Sequence, residues 1–509
     1  MPSYPESGNK SNLAEIHVPL KELAGIIFAW DKRRSWALVL SALLALGANA
    51  AWQAPIAPVF LIFFINFLCF LSALGSLAAG LVSWAFWLPL VNVNLNVFPG
   101  FPTLSFDKVA FLLMLAAWRF RVRREFLVSD PITRAFAGLL AAGFLTLAWN
   151  RNNLLGQLVG LGEYASYLSI YLIAVGTLKP QQDRSRMLAA LIAGCAVATA
   201  LAYGEYLVYR ISDGKVVFSP YYEWNLGARD TQFGGTVGHK NFFAAYQSLM
   251  IFVSLAVLLS RKGNRYFFGG LLFLQALTLS TGKSLGAFVG LPAGLLAWSA
   301  MRYSGEKRLL AFLVVSVGAI LLLVSVFALV NPRIPHRKLS GSIQPRLYLH
   351  RVALEAWASR PLLGHGVGSF PSVISASSMK LGLQEMERFG LNESHAESLW
   401  RGGGWSAHSV YLKAAVETGV IGLLALLGLG YAVAHTLLAG AKKAGGVFEV
   451  RMCEAVFCGL ISFSIQGFTE ELLSFSKLSF IYFIVVGLAT SFPRVLHTGS
   501  EKHIVGEMG

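Results

Sequence analysis

Residues 405–427, WSAHSVYLKAAVETGVIGLLALL, join a polar head to the beginning of a long apolar run. About 20 apolar residues are enough to cross a bilayer as a helix. The run 409–438 therefore predicts a membrane-spanning helix, and His408 lies where that helix would enter the lipid. An ionisable side chain at this depth is costly, so its presence indicates a functional site at this end of the span.

Similar apolar runs recur along almost the whole chain of 509 residues, which is 55% hydrophobic and only 13% charged. The mean hydropathy is +0.59. This composition predicts an all-α polytopic membrane protein with one large embedded domain. We expect about 14 transmembrane helices, at residues 35–52, 56–74, 76–91, 106–120, 134–149, 157–177, 187–209, 241–260, 265–281, 285–301, 309–330, 409–438, 452–470 and 474–492.

The net charge of +16 has a topological explanation. In a soluble protein it would suggest a nucleic-acid partner, which we do not expect here. Basic loops remain on the cytoplasmic side of a membrane, and fourteen spans place every strongly basic segment on one side. These segments are residues 31–35, 119–125, 179–186, 261–265, 302–308, 441–446 and 492–503.

The resulting topology has both termini in the cytoplasm. Residues 1–34 form an N-terminal segment without the features of a cleavable signal peptide. Residues 35–492 form the membrane domain, and 493–509 form a cytoplasmic tail. Two long loops face outward, 210–240 and the larger 331–408. Loops of this length in a compact protein are usually functional or disordered, and the apolar content of the larger one favours folding against the membrane.

Basic residues collect at the outward ends of the spans. In GARDTQFGGTVGHKNFFAAY (227–246), Arg229, His239 and Lys240 precede a predicted span that begins near Asn241. Glycines here allow close backbone approach, and a helix N-terminus favours an anion. The alternative is an ordinary loop in which Asn241 caps the helix.

Two further segments also carry basic residues on the outward side. In LSTGKSLGAF (279–288), Lys283 could reach an anionic head group, although a snorkelling lysine is the simpler interpretation. The segment is not a nucleotide-binding loop, because the required first glycine is absent. Arg346, His350 and Arg351 lie on one predicted helix, which could also rest on lipid head groups.

His408 completes the outward set of candidate residues, with Tyr411 on the same face of its helix. A histidine at a helix start is often structural, but the convergence of basic clusters on one side favours function. Glu417 lies nearly three turns further along and is interpreted as a packing residue. The sequence leaves open whether the adjacent acids Glu470 and Glu471, at the outward end of a span, join the site.

These features predict a basic, outward-facing pocket that uses neither a metal nor a cofactor. A divalent cation needs several carboxylate oxygens, and no D-x-D motif occurs. The four cysteines lie in apolar spans and are interpreted as small buried residues. Arginine grips phosphate through paired hydrogen bonds, and neutral histidine accepts a proton. A lipid-linked diphosphate would fit this pocket, with its tail in the bilayer.

Three motifs resemble the O-antigen ligase and O-antigen polymerase superfamily: RDTQFGGTVGHKN, RLYLHRVALEAWASRPLLGHGVGSF and HSVYLKAAVETGVIGLL, all within residues 227–427. The resemblance implies a C-type glycosyltransferase-like fold and an inverting, metal-independent glycosyltransferase. It implies a glycan donor on undecaprenyl diphosphate. It also places the enzyme in the bacterial inner membrane, with the active site facing the periplasm.

The resemblance also implies roles for individual residues. His408 matches the position that activates the acceptor hydroxyl, and Arg229 and Arg346 match positions that bind the donor diphosphate. Lys283 stands where members of the family usually have an arginine, and it keeps the charge without the bidentate grip. Possible supporting residues are His239, Lys240, Asn241, His350, Arg351, Tyr411 and Glu417.

The acceptor stays open between a second lipid-linked glycan, a lipid A core and, less favoured, a protein. The HKN form of the first motif resembles exopolysaccharide members. A transporter or flippase of lipid-linked saccharides is the principal alternative. It would need basic groups along a path through the bilayer, whereas the span interiors are nearly uncharged. A non-catalytic assembly scaffold is the second alternative.

Overall fold

The structure is a computed structural model that describes residues 56–91, 94–95, 104–121, 130–150, 154–212, 235–237, 239–282, 284–306, 310, 337–400 and 406–492. Within these ranges the chain is helical, apart from one antiparallel pair of two-residue strands. In chain order, the elements are α1 (Ile56–Gly75), α2 (Leu77–Trp87), β1 (Asn94–Leu95), β2 (Leu104–Ser105), α3 (Phe106–Arg121), α4 (Pro131–Trp149), α5 (Leu154–Thr177), α6 (Gln181–Ile211), α7 (Lys240–Leu259), α8 (Arg265–Gly282), α9 (Leu285–Arg302), α10 (Arg337–Ser359), α11 (Phe370–Arg388), α12 (Glu393–Trp400), α13 (Val410–Lys443), α14 (Val447–Gln466) and α15 (Ser476–Ser491).

Six of these helices, α4, α5, α6, α7, α9 and α13, are long and apolar enough to cross a membrane. The prediction of a helical, multi-pass membrane protein is therefore confirmed, whereas the predicted number of fourteen spans is not. The predicted span 35–52 lies outside the described residues, as do the two terminal segments 1–34 and 493–509. Residue 310 is the one described residue of the predicted span 309–330. Each of the other twelve predicted spans coincides with a described helix.

The centre of the bundle is α15. Its residues from Lys477 to Ser491 are all buried, which is expected of a helix that is hydrophobic on every side. Aromatic rings fix it against its neighbours. The ring of Phe480 lies 5.3 Å from that of Trp84, and the ring of Phe483 lies 5.0 Å from that of Phe136. The helix packs chiefly on α5 and α14.

The two ends of the bundle differ in charge. At one end, Arg302 of α9 pairs with Glu454 of α14 at 2.5 Å, and Lys262 lies over the ring of Phe448. Arg184 of α6 donates to the carbonyl of Ser491 at this same end. The structure thus gathers three of the basic segments at the end where α14 begins. The candidate residues lie at the other end, where α14 stops.

Outside the spans, α10, α11 and α12 form a helical unit with its own core. Tyr348 and Val352 of α10 and Ile374 of α11 are almost fully buried there. Tyr348 and Ser378 also share a hydrogen bond of 2.7 Å between their hydroxyl groups. This unit occupies most of the predicted large loop, and α10 packs directly on α13.

The unit joins the membrane bundle through a break in α13. Gly419 has φ of 64° and ψ of −165°, which interrupts the helix. The amides of His365 and Gly366 donate to the carbonyls of Val416 and Glu417, at 2.9 and 2.8 Å. On the other side of the break, the Val420 amide donates to Pro361. Backbone groups in a bilayer must be paired within the protein, and the segment 361–366 supplies the partners that the broken helix lacks.

Replacing Gly419 with alanine is expected to destabilise the protein. Its backbone conformation is essentially restricted to glycine and costs other residues about 1–3 kcal/mol. An added Cβ would also lie 2.1 Å from the Leu362 carbonyl oxygen. Thermal unfolding in detergent should show a lower midpoint for Gly419→Ala. Gly428→Ala is the matched control on the same helix, where a Cβ would meet nothing within 4 Å. Equal midpoints for the two variants would contradict this account of the break.

Candidate active site

Glu470 is the centre of the candidate active site. It lies just after α14 and is 4% exposed. Its Oε1 accepts a hydrogen bond from Arg346 Nη2 at 2.8 Å and another from the Asn241 side chain. Its Oε2 lies 3.5 Å from Nδ1 of His408. One carboxylate therefore brings together three residues that the sequence selected from three distant motifs.

Charge compensation keeps this buried carboxylate ionised. Burial alone would raise the pKa of Glu470. The contact with His408 and the positive charge of Arg346 outweigh burial, so the pKa lies below its ordinary value. The result is a fixed negative charge between a guanidinium group and an imidazole.

His408 is held in a sharp turn at the start of α13. Its φ is 45°, a left-handed conformation that is uncommon for residues other than glycine. Ser409 then caps α13, because its hydroxyl accepts the Leu412 amide, and the Val410 amide donates to the Gly467 carbonyl at 2.8 Å. Strained backbone of this kind is often found at functional sites.

The side chain of His408 is 28% exposed. Its Nδ1 faces Glu470, and the separation of 3.5 Å is long for a hydrogen bond. Catalytic contacts are often long before a substrate is bound. With Nδ1 directed at a carboxylate, the imidazole can keep its proton there and use Nε2 to accept another.

The N-terminus of α7 supplies the second side of the site. The predicted helix start near Asn241 is confirmed within one residue, but the cap is His239 and not Asn241. His239 Nδ1 accepts the Asn241 amide at 3.3 Å. This leaves the Asn241 side chain free to bond to Glu470. Lys240 is the first residue of the helix, so a positive charge also stands at this end.

The third side of the site is α10, which carries Arg346, His350 and Arg351 as predicted. Arg346 reaches Glu470. Burial lowers the pKa of His350, and the backbone groups of His408 and Ala407 beside it act in the opposite direction. His350 therefore lies against the turn that carries His408. Arg351 is exposed.

Tyr411 and Glu417 have structural partners. The Tyr411 hydroxyl donates to the Ser464 carbonyl at 2.8 Å, which ties α13 to α14. Glu417 is 1% exposed and accepts the Phe370 amide at 3.3 Å. This contact joins α13 to the start of α11, in keeping with the interpretation of Glu417 as a packing residue. Arg229 and Lys283 lie outside the described residues.

An apolar cavity of about 260 Å³ begins beside the turn of His408 and extends between α13, α14 and α15. Its surface is mainly apolar, which suits an apolar chain. In the described part of the protein, no group of three or more His, Cys, Asp or Glu side chains is placed to hold a metal ion. The cavity is lined by Val410, Tyr411, Leu426, Leu427, Leu429, Gly430, Val433, Leu460, Phe463, Ser464, Gly467, Leu473, Tyr482 and Phe483.

Sequence reasoning missed the part played by Glu470. The signal was present, because a pair of acids at the outward end of an apolar span is costly without basic partners. The basic residues on that side outnumber the acids near them, and Arg346 needed a counter-charge. The sequence could not show which acid met which base.

Fold and site together define a multi-pass helical membrane protein with a buried carboxylate, a histidine and an arginine at one end of its bundle. The family model described as O-antigen ligase matches residues 266–427. The chain is also 27% identical over 297 residues to the exopolysaccharide production protein ExoQ of Rhizobium meliloti (strain 1021). That alignment covers 55% of this chain and 60% of the relative.

The resemblance drawn from the motifs is thereby confirmed. Through residues 266–427, the chain is similar to the O-antigen ligase family. The matched domain contains Arg346, His350 and His408, whereas Asn241 and Glu470 lie on either side of it.

Proposed function

We propose that the protein transfers a glycan from undecaprenyl diphosphate to the hydroxyl group of an acceptor. The observation that carries this proposal is the contact between His408 and Glu470, with Arg346 on the same carboxylate. A histidine backed by a carboxylate is suited to remove a proton. An arginine beside it is suited to bind phosphate. A glycosyl transfer from a lipid diphosphate needs both.

The proposed reaction is a single displacement at the anomeric carbon. The acceptor oxygen attacks the anomeric carbon of the donor sugar from the side opposite the diphosphate, so the configuration inverts. Its proton passes to Nε2 of His408, while Glu470 stabilises the imidazolium that forms. The bond from the anomeric carbon to the diphosphate oxygen breaks, and the diphosphate leaves with the electron pair. Fixed positive charge stabilises that leaving group without a metal.

Arg346 is the described residue best placed to bind the diphosphate. Its side chain is 26% exposed while it pairs with Glu470, so part of the guanidinium group is open to a ligand. A guanidinium group has five donors, and one bond to Glu470 leaves others for phosphate oxygens. Arg229 and Lys283 are proposed as further donor-binding residues on the strength of the motif resemblance.

The apolar cavity supports a lipid-linked donor. It starts at Val410 and Tyr411, directly after His408, so a ligand could place its head group at His408 and its tail between α13 and α14. Basic segments gather at the opposite end of the bundle. By the positive-inside rule, that end is proposed to face the cytoplasm, which gives the site a periplasmic position in the inner membrane.

An in vitro transfer assay tests the proposal. The purified protein, in detergent with EDTA, should release undecaprenyl diphosphate from an undecaprenyl diphosphate glycan and form a new glycosidic bond. A ladder of longer lipid-linked glycans would identify a polymerase. A single product on an added lipid A core would identify a ligase. Movement of the intact donor across a vesicle membrane, without bond formation, would contradict transfer and favour a transporter.

A further inference from the structure

The neighbour of Glu470 also contacts the turn that carries His408, but through the backbone. The amide of Ala407 donates to Oε1 of Glu471. Ala407 is fully buried, and Glu471 is 7% exposed. A buried amide needs a partner, and here the partner is a charged group, which makes a stronger bond than a neutral acceptor. The contact therefore holds the backbone immediately before His408.

Two other side chains hold Glu471 in place. Lys413 Nζ lies 3.4 Å from Oε2 of Glu471, and the Ser474 hydroxyl donates to the same oxygen at 3.1 Å. Lys413 also donates to the Ser474 hydroxyl at 2.7 Å. Each of these three side chains contacts the other two, so together they hold Glu471 in place.

His408 needs such support because its backbone is strained. A left-handed conformation outside glycine persists only where the surroundings impose it. The Ala407 amide, one residue before, is held by Glu471. The Val410 amide, two residues after, is held by Gly467. Both anchors belong to the short connection between α14 and α15, which also carries Glu470.

We propose that Glu471 is a positioning residue for His408, and that Lys413 and Ser474 fix Glu471. The two adjacent carboxylates then have separate tasks. Glu470 faces the imidazole, and Glu471 holds the backbone that aims the imidazole at Glu470. The inference rests on the proposed function, in which His408 is the base. The alternative is a purely structural ion pair between Glu471 and Lys413.

Four variants separate these two roles. Glu471→Ala removes the acceptor of the Ala407 amide. Glu471→Gln keeps an oxygen for that amide but loses the charge. Lys413→Met leaves the carboxylate without its ion pair. Glu454→Ala is the matched control, because Glu454 makes an ion pair of 2.5 Å with Arg302 at the opposite end of the bundle.

The first readout is the kinetics of transfer. Misplacement of a catalytic group by about 1 Å can lower the rate about 100-fold, and we expect a loss of this order in kcat for Glu471→Ala. KM for the donor should stay unchanged, because Glu471 does not touch it. Glu471→Gln should recover much of kcat, Lys413→Met should lie between them, and Glu454→Ala should match the wild type. A rise in KM with unchanged kcat would overturn the inference.

The second readout does not depend on transfer. Diethyl pyrocarbonate modifies accessible, neutral histidines, and peptide mass spectrometry gives the rate at His408. In Glu471→Ala, His408 should be released from Glu470 and react several-fold faster than in the wild type. An unchanged rate would overturn the inference. If Glu471→Ala does not fold, Lys413→Met provides the same comparison.

The two proposals fail in different ways. If His408→Ala is inactive and Glu471→Ala keeps the wild-type kcat, the positioning role is wrong and the proposed function stands. If His408→Ala is as active as the wild type, the proposed function is wrong. The diethyl pyrocarbonate rates then decide the role of Glu471 alone.

Discussion

Replacing His408 with alanine is expected to lower kcat for glycan transfer roughly 100- to 10,000-fold, the usual contribution of a general base. KM for the donor should change little, because Arg346 and the apolar cavity remain. The reason is geometric. The imidazole of His408 combines a carboxylate partner with an exposed edge, and unlike the guanidinium group of Arg346 it can accept a proton. Release of undecaprenyl diphosphate with time measures the effect.

His435→Ala is the control for this prediction. His435 lies on the same helix, is exposed, and has its ring 6.0 Å from that of Tyr431. It should behave as the wild type. Wild-type kcat in His408→Ala, with His435→Ala also unchanged, would assign His408 a structural role and remove the base from the proposed mechanism.

Replacing Glu470 with alanine is expected to have a comparable effect, through two groups at once. His408 loses the carboxylate at 3.5 Å, and Arg346 loses its partner at 2.8 Å. In a Ser-His-Asp triad, replacing the carboxylate by its amide lowers kcat about 10,000-fold, which sets the scale. Because Arg346 is also displaced, KM for the donor should rise in Glu470→Ala, unlike in His408→Ala.

The variant Glu470→Gln separates the effect on kcat from the effect on KM. It keeps an acceptor for Asn241 and Arg346, so KM should recover while kcat stays low. Glu385→Gln is the control, since Glu385 pairs with Arg388 at 2.8 Å within α11, away from the candidate active site. If Glu470→Gln and the wild type had equal kcat, the charge of Glu470 would have no part in the reaction.

The lowered pKa of Glu470 also predicts a dependence of stability on pH. A carboxyl group whose pKa falls on folding stabilises the folded state above its unfolded pKa, and this stabilisation is lost as the pH falls through the folded value. The wild type should therefore unfold at a higher temperature than Glu470→Gln at neutral pH. The difference should shrink as the pH is lowered below the ordinary value of 4.5.

The positions of the spans could be predicted from the sequence, because an apolar run is a local property. The predicted starts of the helices at 241 and 285 lie within one residue of α7 and α9. The partners of Glu470 could not be predicted in this way. Arg346 is 124 residues away and Asn241 is 229 residues away, so their meeting depends on how the helices pack.

The break at Gly419 was hidden for a different reason. The apolar pattern of α13 continues through it, so periodicity predicts one unbroken helix. The backbone groups of the segment 361–366 form the hydrogen bonds that allow the helix to be interrupted in lipid. A local sequence pattern contains no information about hydrogen-bond partners from a distant part of the chain.

The shared backbone bonding between α13 and segment 361–366 sets limits on engineering. Consider a chimera in which the helical unit of α10, α11 and α12 comes from a relative and α13 from this protein. Its two hydrogen-bonded backbone segments would each be shaped for a different partner. Gly364 makes this concrete, since a Cβ there would lie 2.5 Å from the Glu417 carbonyl carbon. A graft of this unit should therefore carry residues 361–368 and 416–421 together, as one transplant.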